Sequence, residues 1–183
     1  MPNAIDLLRA DHDRLRQILP KLSDPAIAAD ERHRYLEAVE REVKIHSLVE
    51  EEIFYPEFKE AAKFTSEKDV YFQSIEEHHV VDMLLPEIKP LDAASDGFRA
   101  KTKVLRDLIE QHADHEERVM FRAAKQLLGD EKLNELGNRI EQRKIDLEEQ
   151  WDSTIAGRIR QAQAVVDKFM PSSLKDLRGQ IRR

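Results

Sequence analysis

The 183-residue chain contains no cysteine, only 5 glycines and 7 prolines, and a single tryptophan. Without thiols there is no disulfide framework, no thiolate zinc or iron–sulfur site and no cysteine nucleophile. Any metal chemistry must therefore use nitrogen and oxygen ligands. So few glycines and prolines leave little of the turn chemistry that many short strands need. No stretch approaches the ~20 apolar residues of a membrane-spanning helix. The opening "MPNAIDLLRADHDRL" is charged too early to read as a secretory leader, so a cytoplasmic protein with no membrane partner is expected. A formal net charge of −7 gives the molecule as a whole no attraction for nucleic acid or anionic lipid.

What is present points to helices. Charged residues make up 37% and hydrophobic residues 40%, with Ala, Leu, Glu, Lys and Arg dominant, which favours an all-α fold with one sizeable core. Apolar positions recur at alternating steps of three and four, the mark of a helix buried along one stripe. The first stripe is Ile5, Leu8, Leu15, Leu19 and Leu22, with His12 filling its gap. The second runs Leu36, Val39, Val43, His46, Glu50, Ile53; the third Tyr71, Ser74, His78, Val81, Leu85, Ile88. The fourth is Phe98, Thr102, Leu105, Ile109, His112, Glu116, Val119, Ala123. The breaks "SDPAIAAD", "AAKFTSEKD" and "KPLDAASDG" are short, so neighbouring helices should run antiparallel. An antiparallel up-down-up-down four-helix bundle over residues 1–150 follows, with a basic helical or partly flexible extension at 151–183. Gly129 should close the fourth helix, "DEKLNELG" should form a short turn, and a further helix should begin near Asn138. From Ile155 onward seven basic residues face two acidic ones, a local charge of +5; a solvated helix is the simplest reading.

The chain also repeats itself. His12 precedes His46 by 34 residues, and His78 precedes His112 by the same interval. An acid, Asp11 or Glu77, stands before the first histidine of each pair. Helix ends "ILPKL" and "LLPEI" match, and both second helices carry His-x-x-x-Glu-Glu, as "HSLVEE" and "HADHEE". One helical hairpin is used twice, 66 residues apart.

Residues four apart on a helix project into one region, so His46 with Glu50, and His112 with Glu116, face the same interior. Together with His12 and His78 they offer four imidazoles and two carboxylates. Buried carboxylates without partners cost several kcal/mol or take up protons, and two in proximity repel, so positive charge should lie between them. Nitrogen and oxygen ligands of this kind suit iron, manganese or zinc, and two carboxylates shared by four histidines suit a pair of ions. Two imidazoles and an oxygen from each glutamate give each ion four protein ligands. A bridging oxide or hydroxide makes five, and an octahedral ion then keeps one place for dioxygen, peroxide or nitric oxide.

In "ADHDRLRQIL", "HSLVEEEIFYP", "EEHHVVDMLL" and "HADHEERVMF" the chain resembles the hemerythrin family, specifically the bacterial domains with the His-His-Glu cation-binding signature. The resemblance covers about residues 4 to 150. It implies a non-haem di-iron centre joined by two carboxylates and a solvent-derived bridge. Within it, His12, His46, His78 and His112 match the iron-ligating histidines, and Glu50 and Glu116 the bridging carboxylates. The repeat suggests His12 with His46 on one ion and His78 with His112 on the other. Oxygen-carrying members have a further histidine four residues before or after the one on the third helix; here those places hold Ser74 and Asp82. Four histidines instead of five leave the ions open to solvent or to a substitute such as a tyrosine. That favours a protein that binds, senses or reacts with a small oxidant over reversible oxygen storage. A regulatory protein without turnover, or a metal-free helical interaction module, is the alternative.

Other polar residues are read more plainly. Glu51 and Glu117, one step round the helix, support the site or face solvent. His115 is placed at the rim, with replacement of a ligand as the other reading; His79 and His33 are placed on the surface. Tyr71 is assigned to the core; Tyr55, just after the second motif, is read as covering the site or bonding within it, although α-helical geometry turns it away from Glu50. A ferritin-like plan needs two Glu-x-x-His motifs, and only Glu76 to His79 is present.

Overall fold

A computed structural model describes residues 2–169. The elements are α1 (Ala4–Ile18), a 3₁₀ turn (Leu19–Leu22), α2 (Ala29–Val49), α3 (Tyr55–Ala61), α4 (Thr65–Ile88), α5 (Asp96–His115) and α6 (Phe121–Phe169). Single π-helical turns, Glu50–Phe54 and Glu116–Met120, join α2 to α3 and α5 to α6. No strand occurs among the described residues. The α1–α2 and α4–α5 hairpins pack together as an antiparallel four-helix bundle, in agreement with the sequence expectation.

Side-chain caps start two of the helices. Asn3 caps α1 by accepting from the Asp6 N–H while Asp6 reaches back to the Asn3 N–H, a reciprocal box that satisfies two free amides. Ser95 caps α5 through the Phe98 N–H. Most of the stripe positions then bury. Leu15, Leu19, Leu22, Leu36, Val39, Val43, Val81, Leu85, Ile88, Phe98, Leu105 and Ile109 form an aliphatic core in one half of the bundle. The other half is aromatic, with Phe54 against Phe58 and Phe121, and Tyr55 against Tyr71. The polar seam residues lie between these halves.

Two expectations need correction. Val119 is 42% exposed and Ala123 only half-buried, whereas Met120, Phe121 and Ala124 fill the core. The π turn at Glu116 inserts one residue into the helical register and moves the stripe along by one. The second concerns residues 130–138. Gly129, at φ 73°, does close the helical run from Phe121, as a residue free of Cβ strain should. Helix resumes at once, however, with no separate turn before Asn138. Leu133, Leu136 and Ile140 keep a buried stripe through that stretch. Gly137 lies within it because a Cβ there would sit 2.7 Å from the Pro2 carbonyl oxygen; the bare backbone lets the N-terminal segment lie against α6.

The chain divides into two compact units, Met1–Lys144 and a second beginning at Ile145. In the second, α6 continues to Phe169, with Ser153 and Thr154 hydroxyls donating to the Gln150 carbonyl. The basic residues read in the extension start at Arg158 and lie outside the described side chains.

Candidate metal centre

All six polar seam residues are buried and converge midway along the bundle. His12 comes from α1, His46 from α2, His78 from α4 and His112 from α5, while Glu50 and Glu116 open the two π turns. The Nε2 atoms of His12 and His46 are 3.1 Å apart, and those of His78 and His112 are 3.2 Å apart. Glu50 Oε2 lies 3.2 Å from His46 Nε2 and 3.3 Å from His78 Nε2, so it faces both histidine pairs. Glu116 Oε2 does the same, at 3.3 Å from His12 and 3.4 Å from His112. His12, His46, Glu50 and Glu116 form one group of donor atoms within 4.8 Å of one another; Glu50, His78 and His112 form a second.

The opposite nitrogen of every histidine meets a carboxylate. Asp11 lies 3.2 Å from His46 Nδ1 and Glu77 2.9 Å from His112 Nδ1, each within its own hairpin. Glu117 lies 3.0 Å from His12 Nδ1 and Glu51 2.8 Å from His78 Nδ1, each reaching across to the other hairpin. An ionised carboxylate can only accept, so all four Nδ1 atoms donate outward. That leaves Nε2 as the inward atom, the arrangement that orients imidazoles toward a metal.

With protein groups alone, the interior gathers protons. Burial and the facing charge of Glu116 push the Glu50 carboxyl well above its ordinary range. Burial works against ionising Glu116, but the charges of His112 and His12 outweigh it and hold that carboxyl low. Against the same burial, hydrogen bonding to Glu116 raises His12 and the charge of Glu116 raises His112. His46 is depressed to about 4, chiefly by burial. Glu50 Oε1 and Glu116 Oε2 are enclosed without a hydrogen bond. Donor atoms of this type, with two orphaned carboxylate oxygens, fit cations in the same space.

Tyr55 corrects the sequence reading. Five residues along an α-helix lie about 140° round from the start, which would turn Tyr55 from Glu50. The π turn instead closes a bond from the Tyr55 N–H to the Glu50 carbonyl and nearly completes the circle. The buried Tyr55 hydroxyl donates to Glu116 Oε1 at 2.7 Å and lies 3.1 Å from Glu50 Oε2. Burial and the two carboxylate charges push its pKa well above the ordinary phenol value. Its counterpart in the repeat is Phe121, likewise five residues past its glutamate and bonded through its N–H to the Glu116 carbonyl. The Tyr55 ring stacks on His78 and the Phe121 ring on His12, at 5.8 and 5.7 Å.

The remaining assignments sort cleanly. Glu51 and Glu117 support the site. His115 is half-buried, its Nδ1 enclosed without a partner, and it stays outside both donor groups. His79 is exposed beside Glu76. His33 is half-buried rather than superficial, its ring edge-on to Phe98 at 5.4 Å. Of the two places where a fifth histidine would stand, Ser74 is fully buried and Asp82 points outward to Lys44. Beside the four imidazoles is a cavity of about 20 Å³ walled by Leu15, Val43, Val81 and Ile109.

Comparison with known proteins agrees with this geometry. Residues 3–124 match the hemerythrin HHE cation binding domain. An uncharacterised protein of Mycobacterium tuberculosis, Rv2633c, is 30% identical over 139 residues, 75% of this chain and 83% of that protein. The crystal structure of a hemerythrin HHE cation binding domain-containing protein, the Rv2633c homolog from Mycobacterium kansasii, has a TM-score of 0.71 at 25% identity. That similarity covers 82% of this chain and 90% of the other. A DNA nickase of Nostoc sp. is 22% identical over 158 residues, but the chain spans only 43% of that protein. No helix among the described residues is long and apolar enough to cross a membrane. Because the matched span runs from the cap of α1 into the first turn of α6 and takes in every converging residue, the chain belongs to the hemerythrin HHE cation-binding family.

Proposed function

We propose that the chain holds two iron ions and uses them to bind, sense or react with a small oxidant: dioxygen, hydrogen peroxide or nitric oxide. The ligands in this reading are His12 and His46 for one ion and His78 and His112 for the other. Glu50 and Glu116 are shared, and a bridging oxide or hydroxide completes the cofactor. The observation that carries the reading is the facing of each carboxylate toward both histidine pairs, at 3.2 to 3.4 Å. When bound, a pair of iron ions would supply the electrons for reducing a small oxidant.

The chain's own residues define that place. Four carboxylates fix the imidazoles in one tautomer and orientation. The 20 Å³ cavity has room for about one water-sized molecule beside the imidazoles, between Leu15, Val43, Val81 and Ile109 on one hand and Ser47 and Glu77 on the other. Tyr55 keeps a proton on its hydroxyl beside both shared carboxylates. Loading the protein anaerobically with ferrous iron, counting metal and assaying peroxide decomposition and nitric oxide consumption tests the reading. Two irons per chain with turnover identifies an enzyme, and two without turnover a sensor or binder. No bound iron overturns the proposal in favour of a metal-free module.

A further inference from the structure

The four carboxylates behind the histidines are not equivalent. Glu51, Glu117 and Glu77 have side chains 40%, 24% and 20% exposed, whereas that of Asp11 is 2% exposed. Asp11 also carries two cations. Arg14 donates to it from α1, and Lys144 donates from α6, the latter to both carboxylate oxygens. Glu117 has Arg16 alone, and Glu77 receives Gln73. Lys144 is itself only 15% exposed and lies beyond the residues that match the family.

A carboxylate behind a ligating imidazole sends electron density through the ring to its far nitrogen. A cation on the carboxylate draws that density back, and burial leaves little water to screen the effect. Lys144 is not simply a fastener for α6. Arg143 with Glu52, Arg139 with Glu57, and the buried Leu133, Leu136 and Ile140 already do that. From α6, Lys144 meets a carboxylate that also holds a histidine of the centre.

We propose that Lys144 is a positioning residue of the metal centre. Acting through Asp11, it makes His46 the weakest donor of the four imidazoles and the two metal positions electronically unequal. The inference rests on the di-iron reading above.

The test compares wild-type, Lys144→Met and Lys144→Arg proteins, each loaded with ferrous iron, counted for metal and taken through a redox titration. In Lys144→Met, Asp11 keeps its charge with one cation fewer, so His46 donates more strongly and the oxidised state gains. The expected result is two irons still bound and an oxidised-to-reduced ratio at one position raised about tenfold at fixed potential. Lys144→Arg should restore the wild-type titration. Unchanged potentials with two irons bound overturn the proposal. So does unfolding, or loss of both irons, in Lys144→Met alone, since that assigns Lys144 a purely structural role. A wild-type protein that binds no iron sinks the di-iron reading and this proposal with it, a result seen before any variant is compared.

Discussion

The two hairpins are built to one plan and finished differently. Each supplies an acid before its first histidine, a second histidine 34 residues on, a glutamate four residues later and a π turn beginning at that glutamate. The first hairpin then ends its π turn in Tyr55 and is tied to α6 through Asp11, Glu52 and Gly137. The second ends in Phe121, and its acid Glu77 is bonded to neutral Gln73 and to His112. The shared plan brings donors to one place. The differences decide how each half of that place behaves.

The largest effect should come from what the hairpins share. Replacing either Glu50 or Glu116 by alanine is expected to lower bound iron from about two per chain to one or none, because each carboxylate faces both histidine pairs. Metal analysis after anaerobic loading reads this directly, and full occupancy in either variant would contradict the assignment. His46→Ala should likewise abolish any peroxide decomposition, since one remaining ion cannot share a two-electron change; surviving turnover would point to adventitious metal.

Next in size is an asymmetry of titration. In the metal-free protein the His46 ring should titrate near pH 4, while His12 and His112 titrate above 6.5, as ring-carbon resonances would show. His46 is depressed in the folded state, so between pH 6.5 and 4 the unfolded chain binds the extra proton. Its contribution, about 3 kcal/mol, is present above pH 6.5 and lost as pH falls through that window. His12 and His112, raised in the fold, work in the opposite sense. A His46 that titrates above pH 6.5 would remove this distinction between the two members of one pair.

Tyr55→Phe makes the hairpins alike at their fifth position. Removing a buried donor to an ionised carboxylate should cost the metal-free protein about 2 kcal/mol in chemical denaturation, with the bundle intact. A loss below about 0.5 kcal/mol would mean that the hydroxyl does not hold Glu116. Smallest is Gly137→Ala, whose new methyl meets the backbone of Pro2, Asn3 and Ala4. A cost of about 1 kcal/mol, read as a lowered Tm, is expected if the first hairpin leans on α6. An unchanged Tm would remove that support.

Much of this was legible in the sequence because it is periodic. The stripes place His12, His46, Glu50, His78, His112 and Glu116 inward, and the 34-residue intervals pair the histidines. Two things escaped for physical reasons. A π turn adds one residue without changing composition, so Tyr55 was turned the wrong way and Val119 was assigned to the core in place of Met120. Its trace is one step of five, from Glu50 to Tyr55, before the buried positions resume at steps of three and four through Phe58 and Ala62. The second is Lys144, which meets Asp11 across 133 residues of chain. No local pattern marks such a pair, and the stretch from Asp130 to Gly137 reads in sequence as a short turn rather than as the helix that carries Lys144.

The small aliphatic chamber beside the imidazoles bears on which oxidants could reach them. An alkyl hydroperoxide would exceed a space of about 20 Å³, which holds about one water-sized molecule. Hydrogen peroxide and diatomic gases would pass where bulkier oxidants stall. In the proposed di-iron reading, size would thus select among oxidants before any electron moved.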